Sequence, residues 1–309
     1  MASQGLRVLV YGATGSQSQG VVWKLLEHGH QPFVLTRNPE KAEAMRAAGA
    51  EIVVGDMADR ARLEELSQGM DAVSLMIPFF LDDPRNAPVF GRNAIDAAKA
   101  AGIELIVYNT SGPTPTERTG DPSVDLRVDT IEYLQNSGIP HIVIAPTGYM
   151  ENFLGPWTAP RLQAEGVLAY PNTVETRLGW IASADVGALM VAAIERPELA
   201  NEIFRVSGIE NPNGTELAEQ FSQGLGRPIT YYAMEPEEFG AVLDQMFGPG
   251  AGAGAVAQYR KMREDPNPPA MWYDMQPVLE RLPVRMTSIA EWASQHRDAF
   301  NRSAKMHTA

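Results

Sequence analysis

Cysteine is absent from the 309-residue chain. That excludes disulfide cross-links, thiolate metal sites and a cysteine nucleophile. Positive charge is scarce: 25 lysines and arginines face 38 aspartates and glutamates, a formal net charge of −13, with no basic block. Non-specific nucleic-acid binding needs cations against phosphates, so it is disfavoured, as is contact with an anionic membrane surface. No apolar run is long enough to span a bilayer. The opening residues, Met1-Ala2-Ser3-Gln4-Gly5, lack the basic head and long apolar stretch of a secretory signal. A cytoplasmic protein without nucleic-acid or membrane partners is expected. Histidines number 5, and none falls in convincing metal-ligand spacing with acids, so no metal site is expected. His28 and His30 sit at a helix–strand turn and read as solvated residues. No nucleophile–base pair can be argued from the sequence.

What is present is alternation. Short apolar runs at 7–11, 32–36, 51–54, 72–77, 104–108 and 140–145 read as strands. Amphipathic or small-residue runs between them read as helices, with Pro39 at a first turn, Asp59 as a cap and Gly49 past an end. Repeated strand–helix units predict an α/β fold, a doubly wound parallel sheet of Rossmann type. Ligands of such sheets sit at the carboxyl ends of the strands. After Pro146 the pattern loosens, although Asn213 and Thr287 or Ser288 mark later helix starts. The glycine run Gly248–Gly254 reads as a hinge or lid edge, or equally as a passive loop. Trp23 and Trp292 read as packing residues, and Trp157, Trp180 and Trp272 as candidate pocket lining.

The stretch Val8–Gly20 carries the strongest signal. An apolar strand enters Gly12-Ala13-Thr14-Gly15-Ser16-Gln17-Ser18, and an amphipathic helix leaves it. Glycines permit positive φ and close backbone approach, and helix-start amides favour a phosphate. The spacing Gly12-x-x-Gly15-x-x-Ser18 departs from the Gly-x-Gly-x-x-Gly fingerprint, so an ordinary strand–helix turn is the competing reading. Arg37 follows the second strand, where an acid would select NAD and an arginine pairs with the 2′-phosphate of NADP. Asp56 ends the third strand and can accept from an adenine amine with Met57 over the ring, or serve as a turn residue. Ser111 follows the fifth strand and can bond a substrate carbonyl or a phosphate, or occupy a plain turn. Arg127, on the next helix, can hold a ribose and stabilise charge on a substrate oxygen, or lie on an exposed face.

Taken together, Gly12-Ala-Thr-Gly15, Thr36-Arg37-Asn38-Pro39, Gly55-Asp56, Tyr108-Asn109-Thr110-Ser111, Pro146–Phe153, Ile181–Asp185, Leu217–Phe221 and Thr287–Trp292 resemble the NmrA-like group of atypical short-chain dehydrogenases/reductases. The resemblance covers nearly the whole chain. It implies an NADP(H)-binding domain over 1–153 with a return near 178–207. It also implies a smaller, mainly C-terminal α+β substrate region over 154–177 and 208–309. The cofactor residues it implies are Gly12, Thr14, Gly15, Ser16, Gln17, Arg37, Asp56, Met57, Ile77, Pro78, Phe79, Thr147 and Gly148. Members include quinone and isoflavone reductases, and others are redox-sensing regulators that bind the cofactor without catalysis. A homodimer is compatible with the pattern.

Two departures stand out. Ser18 replaces the third glycine, and Arg127 falls where the superfamily's Tyr-x-x-x-Lys places its lysine. Arginine stays protonated and cannot readily donate a proton, so a proton source is sought in Tyr149, Tyr108 or water. Arg127, Ser111 and Tyr149 are the expected catalytic residues. Phe79, Phe80, Tyr149, Phe153 and Trp157 suggest a hydrophobic substrate pocket between the 147–149 turn and the C-terminal region.

Overall fold

The computed structural model describes residues 5–78, 86–265 and 271–301. In chain order it runs β1 (Arg7–Val10), α1 (Gln19–Glu27), β2 (Gln31–Thr36), α2 (Glu43–Ala47), β3 (Glu51–Val54), α3 (Arg60–Ser67), β4 (Ala72–Met76), α4 (Ala87–Ala101), β5 (Leu105–Asn109), α5 (Pro122–Ser137) and β6 (His141–Pro146). It continues through α6 (Ala159–Glu165), β7 (Val167–Tyr170), α7 (Ser183–Ile194), β8 (Ile203–Val206), α8 (Gly214–Leu225) and β9 (Thr230–Ala233). The last helices are α9 (Pro236–Phe247), α10 (Ala253–Glu264), α11 (Gln276–Arg281), α12 (Ile289–Gln295) and α13 (Arg297–Asn301). Among the described residues, no helix is long and apolar enough to cross a membrane.

Two compact units result. The first comprises Met1–Pro146, Ser183–Val206 and Met275–Arg285. The second comprises Thr147–Ala182, Ser207–Asp274 and Met286–Ala309. Thus 147–153 and 178–182 fold with the second unit, and 275–285 returns to the first.

The first unit holds a seven-stranded sheet in the order β3-β2-β1-β4-β5-β6-β8. Every pairing is parallel. β4, β5 and β6 are buried along their full length, as expected where helices cover both faces of a parallel sheet. Helix ends follow the chemistry of their capping residues. The Asp59 side chain accepts from Arg62 N–H at the start of α3, and Gly102 at φ +73° ends α4. Across one face of this unit α1 lies directly against α7. A Cβ added at Gly187 would sit 2.5 Å from the Gly20 carbonyl carbon and 2.7 Å from Val21 N.

The second unit pairs β7 with β9 in parallel. Its core gathers Met150, Phe153, Leu168, Trp180, Phe221 and Trp292. An Asn213–Glu216 capping box opens α8, and Ser288 caps α12. Trp292 packs as expected. Trp180 and Phe153, expected to line a pocket, are instead core residues at 3% and 0% exposure, with ring centroids 4.4 Å apart. Trp157, half-buried, packs edge-on against Phe239. Trp23, expected to pack, is 40% exposed. Within the glycine run Gly252 is a packing position: a Cβ there would lie 2.6 Å from Gly240 Cα, so the start of α10 closes directly on α9, whereas Gly248, Gly250 and Gly254 face open space.

Replacing Gly187 with alanine should lower the urea midpoint. The gain in helix propensity, about 1 kcal/mol, is smaller than an overpacking cost of about 1–3 kcal/mol. A raised midpoint would contradict the close α1–α7 approach.

Candidate functional site

The sheet order reverses direction between β1 and β4: the chain runs from β1 toward β3 on one side and from β4 toward β8 on the other. Such a switch point opens a crevice at the carboxyl ends of its two strands. Gly12 ends β1 at φ +71°. A Cβ there would lie 2.7 Å from Met76 Cε at the end of β4. The backbone angle favours glycine, and a side chain would also have to displace the Met76 methyl.

From Gly12 the chain curls tightly. Gly15 N–H donates to the Gly12 carbonyl at 3.0 Å, and Gln19 N–H to the Gly15 carbonyl at 3.2 Å. Thr14, Gly15 and Ser16 are exposed. The N–H groups of Thr14, Ser16 and Gln17 find no acceptor among the described residues. Ser18 does not cap α1 with its side chain. It is buried, with its hydroxyl 3.1 Å from Met76 Sδ. The turn thus presents unsatisfied donors at a helix start, which is an anion site in outline.

At the end of β2, Thr36 and Asn38 close a local turn, and Asn38 accepts from Glu40 N–H. Arg37 projects from that turn with its side chain 69% exposed, its Nη1 3.7 Å from Asp56 Oδ2. The other Asp56 oxygen accepts from Ala58 N–H at 2.9 Å. The turn role considered for Asp56 is therefore present, and one carboxylate oxygen faces Arg37. Met57 is buried in the core, and its carbonyl accepts from Asn93 Nδ2 at 2.9 Å. Ile77 is buried beneath α4, where a Cβ at Gly91 would meet its Cδ1 at 2.8 Å. Pro78 is half-buried. Phe79 and Phe80 lie outside the described residues.

Beyond β5, Ser111 holds a left-handed backbone at φ +62°, uncommon for a residue with a side chain. Its N–H donates to Asn109 Oδ1 at 2.8 Å. Its hydroxyl is hydrogen-bonded to Gln17 Oε1 of the glycine turn. Arg127 reaches back from α5, with Nε donating to the Thr110 carbonyl at 3.1 Å and Nη1 to the Pro113 carbonyl at 3.4 Å. Tyr108 is sealed in the first unit's core, where burial pushes its phenol up to about 12. It is therefore withdrawn as a proton source.

Thr147, Gly148 and Tyr149 belong to the second unit. Thr147 donates its hydroxyl to the Gly179 carbonyl. A Cβ at Gly148 would lie 2.9 Å from Leu178 Cδ2, and Tyr149 is 2% exposed.

Away from the crevice, His28 and His30 are joined by Glu195 from the end of α7. One Glu195 oxygen lies 2.8 Å from His28 Nδ1 and 3.1 Å from His30 Nε2. Leu6 N–H donates to His30 Nδ1 at 3.1 Å, so in the neutral ring Nε2 carries the hydrogen and donates to Glu195. Burial works against the Glu195 charge, but the two histidine hydrogen bonds outweigh it and hold the carboxyl below its usual range. These histidines are tied into the fold rather than simply solvated.

The sequence matches the NmrA-like family over residues 4–265. The chain belongs to that family. An NAD(P)H azoreductase from Xenophilus azovorans is 28% identical over 298 residues, 95% of this chain and 99% of the relative. The crystal structure of an Escherichia coli NADPH-dependent quinone oxidoreductase, complexed with NADPH, superposes with a TM-score of 0.72 at 23% identity. It covers 94% of this chain and 99% of that one. The crystal structure of NmrA, a negative transcriptional regulator, in complex with NADP gives a TM-score of 0.72 at 17% identity, covering 95% of each chain.

Against the NmrA-like pattern, the Ser18 departure has a physical account. The side chain fills space against Met76, and the close packing associated with a third glycine shifts to Gly20. A Cβ at Gly20 would lie 3.0 Å from both Ala184 Cα and the Ser183 carbonyl oxygen. Sequence reasoning had Asn109 at a strand end but missed Met76; the two shape the crevice from the neighbouring ends of β5 and β4. Nothing marked Met76 before its register with Asn109 was known.

Gly12→Ala should destabilise the protein by about 1–2 kcal/mol, the typical cost of a left-handed residue with a Cβ, read as a lower urea midpoint. An unchanged midpoint would contradict the assigned φ.

Proposed function

We propose that this NmrA-like protein is an NADPH-dependent reductase acting on a hydrophobic carbonyl, quinone or polarised double bond. The observation that carries this reading is the set of unsatisfied N–H groups at Thr14, Ser16 and Gln17, opened by Gly12 at the switch point. A pyrophosphate fits donors so arranged, and Gly15 keeps the surface free of a side chain there. Arg37 stands at the position suited to a 2′-phosphate, and its exposed guanidinium can exchange the distant Asp56 carboxylate for that group. The remaining Asp56 oxygen is available to an adenine amine. Bound NADPH would supply a hydride. The chain's own part is to orient the acceptor and stabilise negative charge on it, and Ser111 is the hydroxyl placed for that at the β5 end.

The second unit is the proposed substrate-binding region, with Thr147, Gly148 and Tyr149 at its entry from β6. The names of two relatives, an NAD(P)H azoreductase and a quinone oxidoreductase, support the reductase reading. A cytoplasmic setting fits it. A second reading is a non-catalytic NADP(H) sensor. It is favoured by the engagement of Arg127 with two loop carbonyls where the superfamily has its lysine.

Purified protein should oxidise NADPH steadily, followed at 340 nm, with a quinone or azo acceptor. Saturable NADPH binding without turnover across a broad acceptor panel would favour the sensor. Arg37→Ala should weaken NADPH about 10–100-fold, the equivalent of lost charged hydrogen bonds, with little effect on NADH. Equal weakening of both would remove Arg37 from the 2′-phosphate.

A further inference from the structure

Ser111 occupies a backbone conformation that a side chain resists, and the surrounding groups converge on keeping it there. Its own N–H is held by Asn109 Oδ1 at 2.8 Å. Thr110, just before it, is tied to β6 through the Ile144 carbonyl at 3.1 Å, and its hydroxyl donates to the Gly112 carbonyl at 2.8 Å. Thr114 donates to the same carbonyl at 3.2 Å. Arg127 then brackets the loop, one donor on the carbonyl before Ser111 and one on the carbonyl two residues after it. A strained residue persists only where its surroundings over-determine it, and such residues concentrate at working sites.

We propose that Arg127 is a positioning residue, clamping the 110–113 loop so that Ser111 keeps its left-handed conformation, rather than a group that touches the cofactor. The assignment of Ser111 to the acceptor rests on the reductase reading above; the clamp itself does not. Arginine suits the task because its planar fork offers several donors in fixed directions. A lysine at the same place has one mobile ammonium and cannot span both carbonyls with the same rigidity. Gly112 completes the device. A Cβ there would lie 3.1 Å from Arg127 Nη2 and 3.5 Å from Cζ, so a side chain at 112 would crowd the guanidinium away from the loop. Gln17 joins the loop to the glycine turn through the Ser111 hydroxyl.

The test compares S111A, R127A, R127K, G112A and the S111A/R127A double variant. Readouts are the Kd for NADPH, kcat and KM with a quinone acceptor, and Tm. The clamp predicts an NADPH Kd within about twofold of wild type in R127A. It predicts a kcat in R127A close to that of S111A, and a double variant no slower than S111A alone. R127K should recover part of the loss, and G112A should reproduce the R127A pattern. A Tm comparison is independent of turnover: the drop caused by R127A should shrink in an S111G background, because glycine needs no holding at φ +62°. A tenfold or larger rise in NADPH Kd in R127A overturns the proposal, as does a multiplicative kcat loss in the double variant. So does an equal Tm drop in both backgrounds. If R127A does not fold, R127K and G112A carry the same comparisons. If wild-type protein turns over no acceptor, the reductase reading fails. The clamp is then decided by NADPH Kd and the S111G comparison alone.

Discussion

Everything proposed for the first unit depends on how closely β1 and β4 meet at their carboxyl ends. Position 12 holds a φ of +71° that a side chain resists, and there the chain turns sharply away from the sheet, with the Met76 methyl of β4 alongside. That turn leaves the Thr14, Ser16 and Gln17 N–H groups without acceptors among the described residues, at the mouth of a helix. A helix start in this condition is stable only with water or an anion in front of it. The parallel topology then puts Arg37, Asp56 and Ser111 along the same edge of the sheet, because every strand points its carboxyl end the same way.

The crevice also shows how a departure from a motif is absorbed. A serine where a third glycine would pack closely is tolerable because its hydroxyl meets a methionine sulfur and its bulk is buried. The need for close helix packing moves two residues along, to Gly20 against α7. The Arg127 departure is different in kind. The side chain is directed at main-chain carbonyls of the loop it faces, so the change exchanges a group suited to proton and ribose chemistry for one suited to bracing. The reductase and sensor readings differ in what that exchange costs, since bracing serves either a turnover site or a binding site.

Much of the first unit was legible in the sequence. Alternating apolar runs and local caps such as Asp59 depend on neighbouring residues alone, and the doubly wound class follows from right-handed crossovers. The glycine turn and Arg37 were legible for the same reason. What escaped depends on residues far apart in the chain. Glu195 meets His28 across a separation of 167 residues, which no spacing rule reaches. β7 is four residues long and, among the described residues, pairs only with β9, beyond an intervening return to the other unit. The pocket role expected for Trp180 and Phe153 failed because aromatic residues in a loosely patterned stretch serve a core as readily as a cavity. In the glycine run near 250 the approach of α9 and α10 accounts for Gly252, a long-range contact that no local pattern marks. Arg127 was correctly placed on the helix after β5, but its partners are carbonyls, which carry no sequence signal.

The central claim is that the Gly12 turn receives the pyrophosphate of NADP(H) while Arg37 receives its 2′-phosphate. A crystal structure of the protein with NADP(H) tests this most directly. The account predicts pyrophosphate oxygens within hydrogen-bond distance of the Thr14, Ser16 and Gln17 amides, and the Arg37 guanidinium on the 2′-phosphate. Phosphates bound away from these amides, or a 2′-phosphate with no contact to Arg37, would contradict it.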